Sequence, residues 1–296
     1  MRDWLRAVVI VSILGTACTD DSATHDSGGR DSAIVDRFDA RADGLRDRID
    51  GVMDQSNEAA STEHPHEPIG FAPITDRRFD ALEEDGWLHT DTGMFSIVTD
   101  DAAPRSPSNV GQALFPAGFG SGSGPMNTYL ENFGGAGARI YIHFWVKISS
   151  NWDGNDSSIN KILFIWINDG PRVYLQALGR GAASLHPRVN TQSPGMDYSL
   201  GNDSVELTRG EWHEWEVVMR RNTASGGGDS SVQAWFDGAQ IVDFQGDATS
   251  ALTLWDGGND TFHTVSWNPT YGGLGEPVPA GQHQWIDHLY VSSGPL

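Results

Sequence analysis

From Phe71 to the C-terminus the chain is a succession of short runs of aromatic and β-branched residues, broken every few positions by Gly, Asn, Asp or Pro and showing no helical periodicity. A chain punctuated in this way cannot stack helices. It has to bury alternate side chains of many short strands, which predicts an all-β sandwich or jelly roll of two antiparallel sheets. The clearest strands are residues 139–148, 161–167, 173–178, 212–221, 232–236 and 285–292. Residues 69–296 are long enough for one such domain with a continuous core. Cys18 is the only cysteine of the chain, so this core is expected to hold by packing without disulfides.

The first 68 residues read differently. Arg2 and Arg6 precede the apolar run 7–14 and the small residues Gly15, Thr16 and Ala17, the layout of a secretory signal. The run is far shorter than the ~20 apolar residues that cross a bilayer. Residues 19–32 are Ser, Asp, Gly and Thr with little to bury, a flexible tether. Val35, Phe38, Ala42, Leu45, Ile49 and Val52 then recur at spacings of three and four among alternating Asp and Arg, predicting an amphipathic helix over about 33–55. The stripe 35–52 could associate two copies or lie on one domain. Residues 56–68, with His64, Pro65, His66 and Pro68, read as linker.

Residues 140–147 alternate with a meaning. Ile140, Ile142, Phe144 and Val146 are fit for a core, and Tyr141, His143, Trp145 and Lys147 form a row on the other face. Sugars stack their C–H faces on aromatic rings while fixed polar groups meet the hydroxyls, so this row is a candidate polysaccharide platform. Other strands offer the same split. Tyr174 and Gln176 oppose Val173 and Leu175; Glu214, Glu216 and Arg220 oppose Trp215, Val217 and Met219; Gln233 and Trp235 oppose Val232 and Ala234; His288 and Tyr290 oppose Trp285, Leu289 and Val291. Together they are expected to give one polar-aromatic face, bare or covered by loops around Pro187 and Pro269.

Two resemblances sharpen this. Cys18 after its small residues is similar to the lipobox of bacterial lipoproteins, with Leu14 one place early, which implies acylation of the thiol, export and a membrane anchor. Residues 209–223, with Trp212-His213 and Asn222-Thr223, and 232–238, ending in Asp237-Gly238, resemble paired strands of concanavalin-A-like jelly rolls in polysaccharide lyases and laminin-G-like proteins. Residues 160–163, 271–273 and 286–292 also resemble that group, so the likeness spans about 69–296. It implies the fold, and a ligand on the concave sheet. Because the same fold carries lectins, lyases, glycosidases and adhesion modules, it does not by itself choose among them.

A lyase needs a base, an acid and a group that neutralises a uronate carboxylate. His143, Tyr141, Lys147 and Tyr290 could supply them, with Gln176, Arg220 and His288 nearby. A retaining glycosidase needs paired carboxylates about 5 to 5.5 Å apart. Only Glu214 and Glu216 approach that pattern, and surface solvation is their expected role. The likeness also implies calcium at Asp287, as in the corresponding strand of laminarinase-like enzymes; no other cofactor is indicated. The net charge of −21 argues against nucleic acid and, unless a local basic cluster intervenes, against polyanionic glycans. The expectation is a surface-anchored carbohydrate-binding jelly roll, with a polysaccharide lyase or a structural adhesion module as alternatives.

Overall fold

The computed structural model describes residues 63–84, 86–91, 93–131, 137–167, 172–193, 196–254 and 262–296. The signal segment, Cys18, the flexible tether and the helix at 33–55 lie outside the described residues. The strands in chain order are β1 (Ala72–Arg77), β2 (Leu88–Asp91), β3 (Phe95–Val98), β4 (Val110–Phe115) and β5 (Met126–Glu131). Then come β6 (Arg139–Ile148), β7 (Ile159–Ile167), β8 (Arg172–Leu178), β9 (His186–Ser193) and β10 (Met196–Gly201). The last are β11 (Trp212–Arg220), β12 (Ser231–Phe236), β13 (Ala239–Gln245), β14 (Phe262–Tyr271) and β15 (Gln282–Gly294).

They form two antiparallel sheets. One has eight strands in the order β13-β12-β11-β6-β15-β4-β3, with β1 added against β15. The other has seven, in the order β10-β9-β8-β7-β14-β5-β2. Most neighbours in these sheets are distant in the chain, as in a jelly roll.

Alternation decides what lies between the sheets. Ile140, Ile142, Phe144 and Val146 of β6 join Trp215, Val217 and Met219 of β11 and Val232, Ala234 and Phe236 of β12 in one core. The same core takes Leu163 and Ile165 of β7, Val173 and Leu175 of β8, Val189 of β9 and Val265 and Trp267 of β14. Phe144 stacks on Trp215 with ring centroids 6.1 Å apart, and Phe236 meets Trp215 edge-on at 5.3 Å. Each large side chain buried in this way stabilises the fold by about 1.5–3 kcal/mol.

The Trp-His and Asp-Gly pieces of β11 and β12 are physically one unit. Asp237 and Gly238 both have positive φ, 49° and 74°, which closes β12 onto β13 in a tight hairpin that Asp-Gly suits. The Asp237 carboxylate then accepts from His213 Nδ1 at 2.7 Å and from the Glu214 N–H at 2.8 Å. Turn and neighbouring strand are thereby locked together.

The alternation expected near the C-terminus fails at one residue. The ladder of β15 with β6 slips between Asp287 and Leu289, and His288 takes φ 47°. This bulge shifts the alternation by one. Leu289 and Val291 face the core as expected, but Trp285 faces out, stacked on His283 at 5.2 Å. Pro187 and Pro269, expected in covering loops, belong to β9 and β14. Pro187 is the second residue of its strand and Pro269 sits in the register shift of β14 against β7, two places where a missing N–H is tolerated.

Burial is the largest influence on His213 and opposes its charge, but the hydrogen bond to Asp237, the charge of that carboxylate and the Thr208 carbonyl together outweigh it, and the pKa is raised from 6.5. Stabilisation by the pair is therefore full below pH 6.5 and is lost as pH rises through the raised folded-state value. Asp237→Asn is expected to cost about 1 kcal/mol near pH 6 and progressively less towards about pH 9, as read from urea unfolding curves across that range.

Candidate functional site

The outer face of the eight-stranded sheet holds the row read from residues 141–147. Tyr141, His143 and Trp145 face away from the core and are flanked by Glu214 and Glu216 of β11 and by Tyr290 of β15. The row is not open. Residues 63–67 lie across it, with His64 stacked on Tyr290 at 3.8 Å and His66 stacked on Trp235 at 4.1 Å. Tyr141, His143 and Tyr290 are 0%, 5% and 7% exposed. The space left among His64, His143, Trp145, His288 and Tyr290 is about 10 Å³, enough for one water and not for a sugar ring, and it adjoins an open groove of about 780 Å³ along Glu63, Asp76, Arg105 and His288.

Most polar groups on this face already have partners within the chain; among the described residues the buried Trp145 Nε1 is an exception. Glu216, expected in solvent, is 1% exposed. It accepts from the Tyr141 hydroxyl at 2.6 Å, from the His66 N–H at 3.0 Å and from His66 Nδ1 at 2.8 Å. Three donors satisfy the hydrogen-bonding needs of this buried carboxylate. Glu214 accepts from His143 Nε2 at 2.8 Å, and the Tyr290 hydroxyl donates to Glu67 at 2.8 Å. Burial, followed by the adjacent Glu216, pushes the Tyr141 hydroxyl far above its usual range; burial and Glu67 raise Tyr290. Both phenols are fixed proton donors to carboxylates, a poor state for acid–base work.

Lys147 does not join this cluster. Its ammonium binds Asp100 and lies over the rings of Trp285 and Trp212, at 4.7 and 5.0 Å. Of the four residues expected to act as base, acid and charge neutraliser, Tyr141, His143 and Tyr290 assemble and Lys147, the expected neutraliser, does not. Arg220 and Gln233 are further along the same face, where Arg220 donates to the Asp229 carbonyl at 2.5 Å and Gln233 to Asp243 at 3.2 Å. His288 bridges Ser106 and Asp76 at 2.9 and 3.1 Å, and that hydrogen bond is the main cause of a lowered Asp76 pKa.

Asp287 does not fit a calcium ligand. Its buried carboxylate accepts from the N–H of Arg105 at 2.7 Å and from the N–H of Ser106 at 3.1 Å on each oxygen. It is ringed by amide hydrogens, where a calcium site presents oxygens. Among the described residues no group of three His, Cys, Asp or Glu side chains is arranged to hold a metal.

Tyr174 and Gln176, expected beside the row, lie on the opposite side of the molecule. They belong to β8, whose Val173 and Leu175 fill the core, so their side chains occupy the outer face of the seven-stranded sheet. There Asn190, Tyr174, Phe164, Ser266 and Tyr129 are register partners on five adjacent strands, a span of about 19 Å. Arg188, Gln176 and Lys161 form a second rank on three of them.

Chemically this second face is mixed, and its centre is as buried as the first: Phe164, Tyr174, Gln176, Arg188 and Ser266 are 6%, 4%, 1%, 7% and 2% exposed, while Lys161, Trp166, Tyr129 and Asn190 are half-buried. Phe164 stacks on Trp166 at 5.9 Å and meets Tyr174 at 5.7 Å. The Lys161 ammonium sits over the Tyr174 ring at 4.8 Å. Gln176 donates to Asn190 at 2.8 Å, while its Oε1, in a side chain 1% exposed, has no partner. Ser266 donates to Asn127 at 2.6 Å, and Arg188 is paired with Asp203. Phe164, Trp166, Arg188, Asn190 and Ser266 were missed in the sequence. The alternation of Arg188, Asn190 and Gln192 with Val189 and Thr191 could have shown β9, had Pro187 not read as a loop signal.

No protein-family model matches the chain, and no curated protein is similar to it at a significant level. Its fold does match solved structures. A marine PL-14 alginate lyase from Aplysia kurodai superimposes with a TM-score of 0.53 at 12% identity, over 70% of this chain and 89% of that one. The cellulose induced protein Cip1 aligns with a TM-score of 0.47 at 11% identity, over 75% and 98%. The domain is a concanavalin-A-like jelly roll, and at these identities the likeness defines the fold alone.

Tyr141→Phe removes a donor from the buried Glu216 carboxylate. It is expected to lower stability by about 1–3 kcal/mol, measured by urea unfolding at neutral pH.

Proposed function

We propose that this domain binds a polysaccharide across the outer face of its seven-stranded sheet. The observation that carries this reading is the composition of that face: aromatic rings in register with amides and hydroxyls, two cations, and the buried Gln176 acceptor without a partner. The half-buried Trp166 and Tyr129 offer stacking surface to sugar C–H faces above the buried Phe164 and Tyr174, and fixed amides select hydroxyl positions. Lys161 places a cation on this face of a chain of net charge −21, with Arg188 beside it already paired with Asp203, which favours a glycan bearing carboxylates. The eight-stranded sheet does not carry the reading, because its row is occupied by the chain itself. The fold shared with an alginate lyase agrees with a carbohydrate ligand.

A lyase is the second reading, and it moves to this face with the ligand. Lys161 beside Tyr174 provides a cation and a phenol within 4.8 Å, centroid to ammonium, two of the groups that uronate proton abstraction requires. The signal-like segment and Cys18 support export of the chain and display at a membrane surface through a lipid anchor, with the tether carrying the domain.

Binding to a panel of neutral and uronate polysaccharides, read by affinity electrophoresis, tests the reading. Tyr174→Ala and Lys161→Ala are each expected to weaken binding at least tenfold, ~1.4 kcal/mol, while Trp145→Ala changes it little. Unchanged binding in both seven-stranded variants would remove the proposed face. Growth of the ultraviolet absorbance of an unsaturated sugar product, abolished in Lys161→Ala, would raise the lyase over the binding module; a flat trace on every polymer that binds would leave binding alone.

A further inference from the structure

Residues 63–68 contribute no strand, yet they cross β15, β6, β11 and β12. Glu63 binds Arg105 in the loop before β4. The rings of His64 and His66 lie on Tyr290 and Trp235, within 12° and 9° of parallel. Between them, the Glu67 N–H donates to the His64 carbonyl at 3.1 Å and closes a turn. Pro65 and Pro68 limit the freedom of the undocked segment, which reduces the entropy lost on docking. This packing is more than an isolated linker would make.

One contact in it is sensitive to protons. His143 gives its Nε2 hydrogen to Glu214, which leaves Nδ1 of the neutral ring as an acceptor. His64 Nδ1 lies 2.8 Å from that atom and donates to it. Only one hydrogen fits between the two nitrogens. When both rings are charged, two N–H groups confront each other.

We infer that segment 63–68 is an acid-released clasp, docked over the eight-stranded sheet at neutral pH and let go when His64 and His143 are both protonated. Glu67 of the segment, Asp76 of β1 and Glu216 of β11 face His64, as do Tyr141 and Tyr290. Glu214 holds His143, and His288 and Arg105 line the space beside the two rings. The carboxylates favour a charge on His64, but burial and then His143 outweigh them, so its pKa is lowered from 6.5. The docked segment therefore holds fewer protons than the released one. Docking is full above pH 6.5 and weakens as pH falls below it. Release uncovers Tyr141, Tyr290 and Trp235 and adds six residues, about 20 Å of extended chain, to the reach of the segment before the domain.

Hydrogen exchange of the full chain, with each rate referred to an unstructured peptide at the same pH, follows the amides of His66 and Glu67. Between about pH 7.5 and pH 5 their protection is expected to fall at least tenfold while β6 and β15 stay protected. Protection that persists to pH 5, or a loss shared by β6 and β15, would overturn the clasp. His143→Gln can still accept from His64 and never charges, so only the burial cost on His64 remains and its segment should release at a lower pH than in the wild type. Loss at the wild-type midpoint would exclude the imidazole pair as the trigger. Glu216→Gln weakens the His66 anchor and should lower protection already at pH 7.5; no change there would show that these amides are not held by docking.

Discussion

A two-sheet core takes one side of every strand. Once Ile142, Phe144, Trp215 and Val217 face Leu163, Ile165 and Leu175 across the sandwich, whatever chemistry the alternate positions carry is divided between two surfaces with the whole core between them. Residues that look alike in sequence, such as Tyr141 and Tyr174, then cannot cooperate. The division of labour between the faces follows from this constraint.

The two faces differ in how their polar groups are satisfied. On the eight-stranded side Glu216, Glu214 and Tyr290 are each matched by a donor or acceptor from β6, β11 or residues 63–68. Such a network stabilises and orients, and it leaves little for a ligand. On the seven-stranded side the Lys161 ammonium lies over aromatic rings, Arg188 is paired with Asp203, and the Gln176 acceptor is unmatched among the described residues, a state that costs free energy unless something completes it.

Much of the fold was legible because it rests on local alternation. Residues 139–148 are β6 to the residue, and the expected strands at 161, 173, 212 and 232 each lie within β7, β8, β11 and β12 or pass their ends by one residue. The site was less legible, for three physical reasons. Which sheet a strand joins is a long-range fact: β8 pairs with β7 and β9, and nothing in Tyr174-x-Gln176 says so. A single residue with positive φ, His288, shifts the parity of β15 and moves Trp285 outward, and no composition signal marks such a bulge. The docking of His64 and His66 depends on partners some 80 to 220 residues away, Glu216 and Tyr290 among them, so a segment rich in proline and histidine reads as linker.

The central claim is that ligand and chain occupy opposite sides of one sandwich. The most direct measurement is mapping of amide protection, residue by residue, when the protein is saturated with an oligosaccharide of a polymer it binds. The account predicts new protection in β7, β8 and β9, around Phe164, Tyr174 and Arg188, with β6, β11 and residues 63–68 unchanged. Protection appearing instead at Tyr141, His143 and Trp235, with loss of protection at His66, would contradict it.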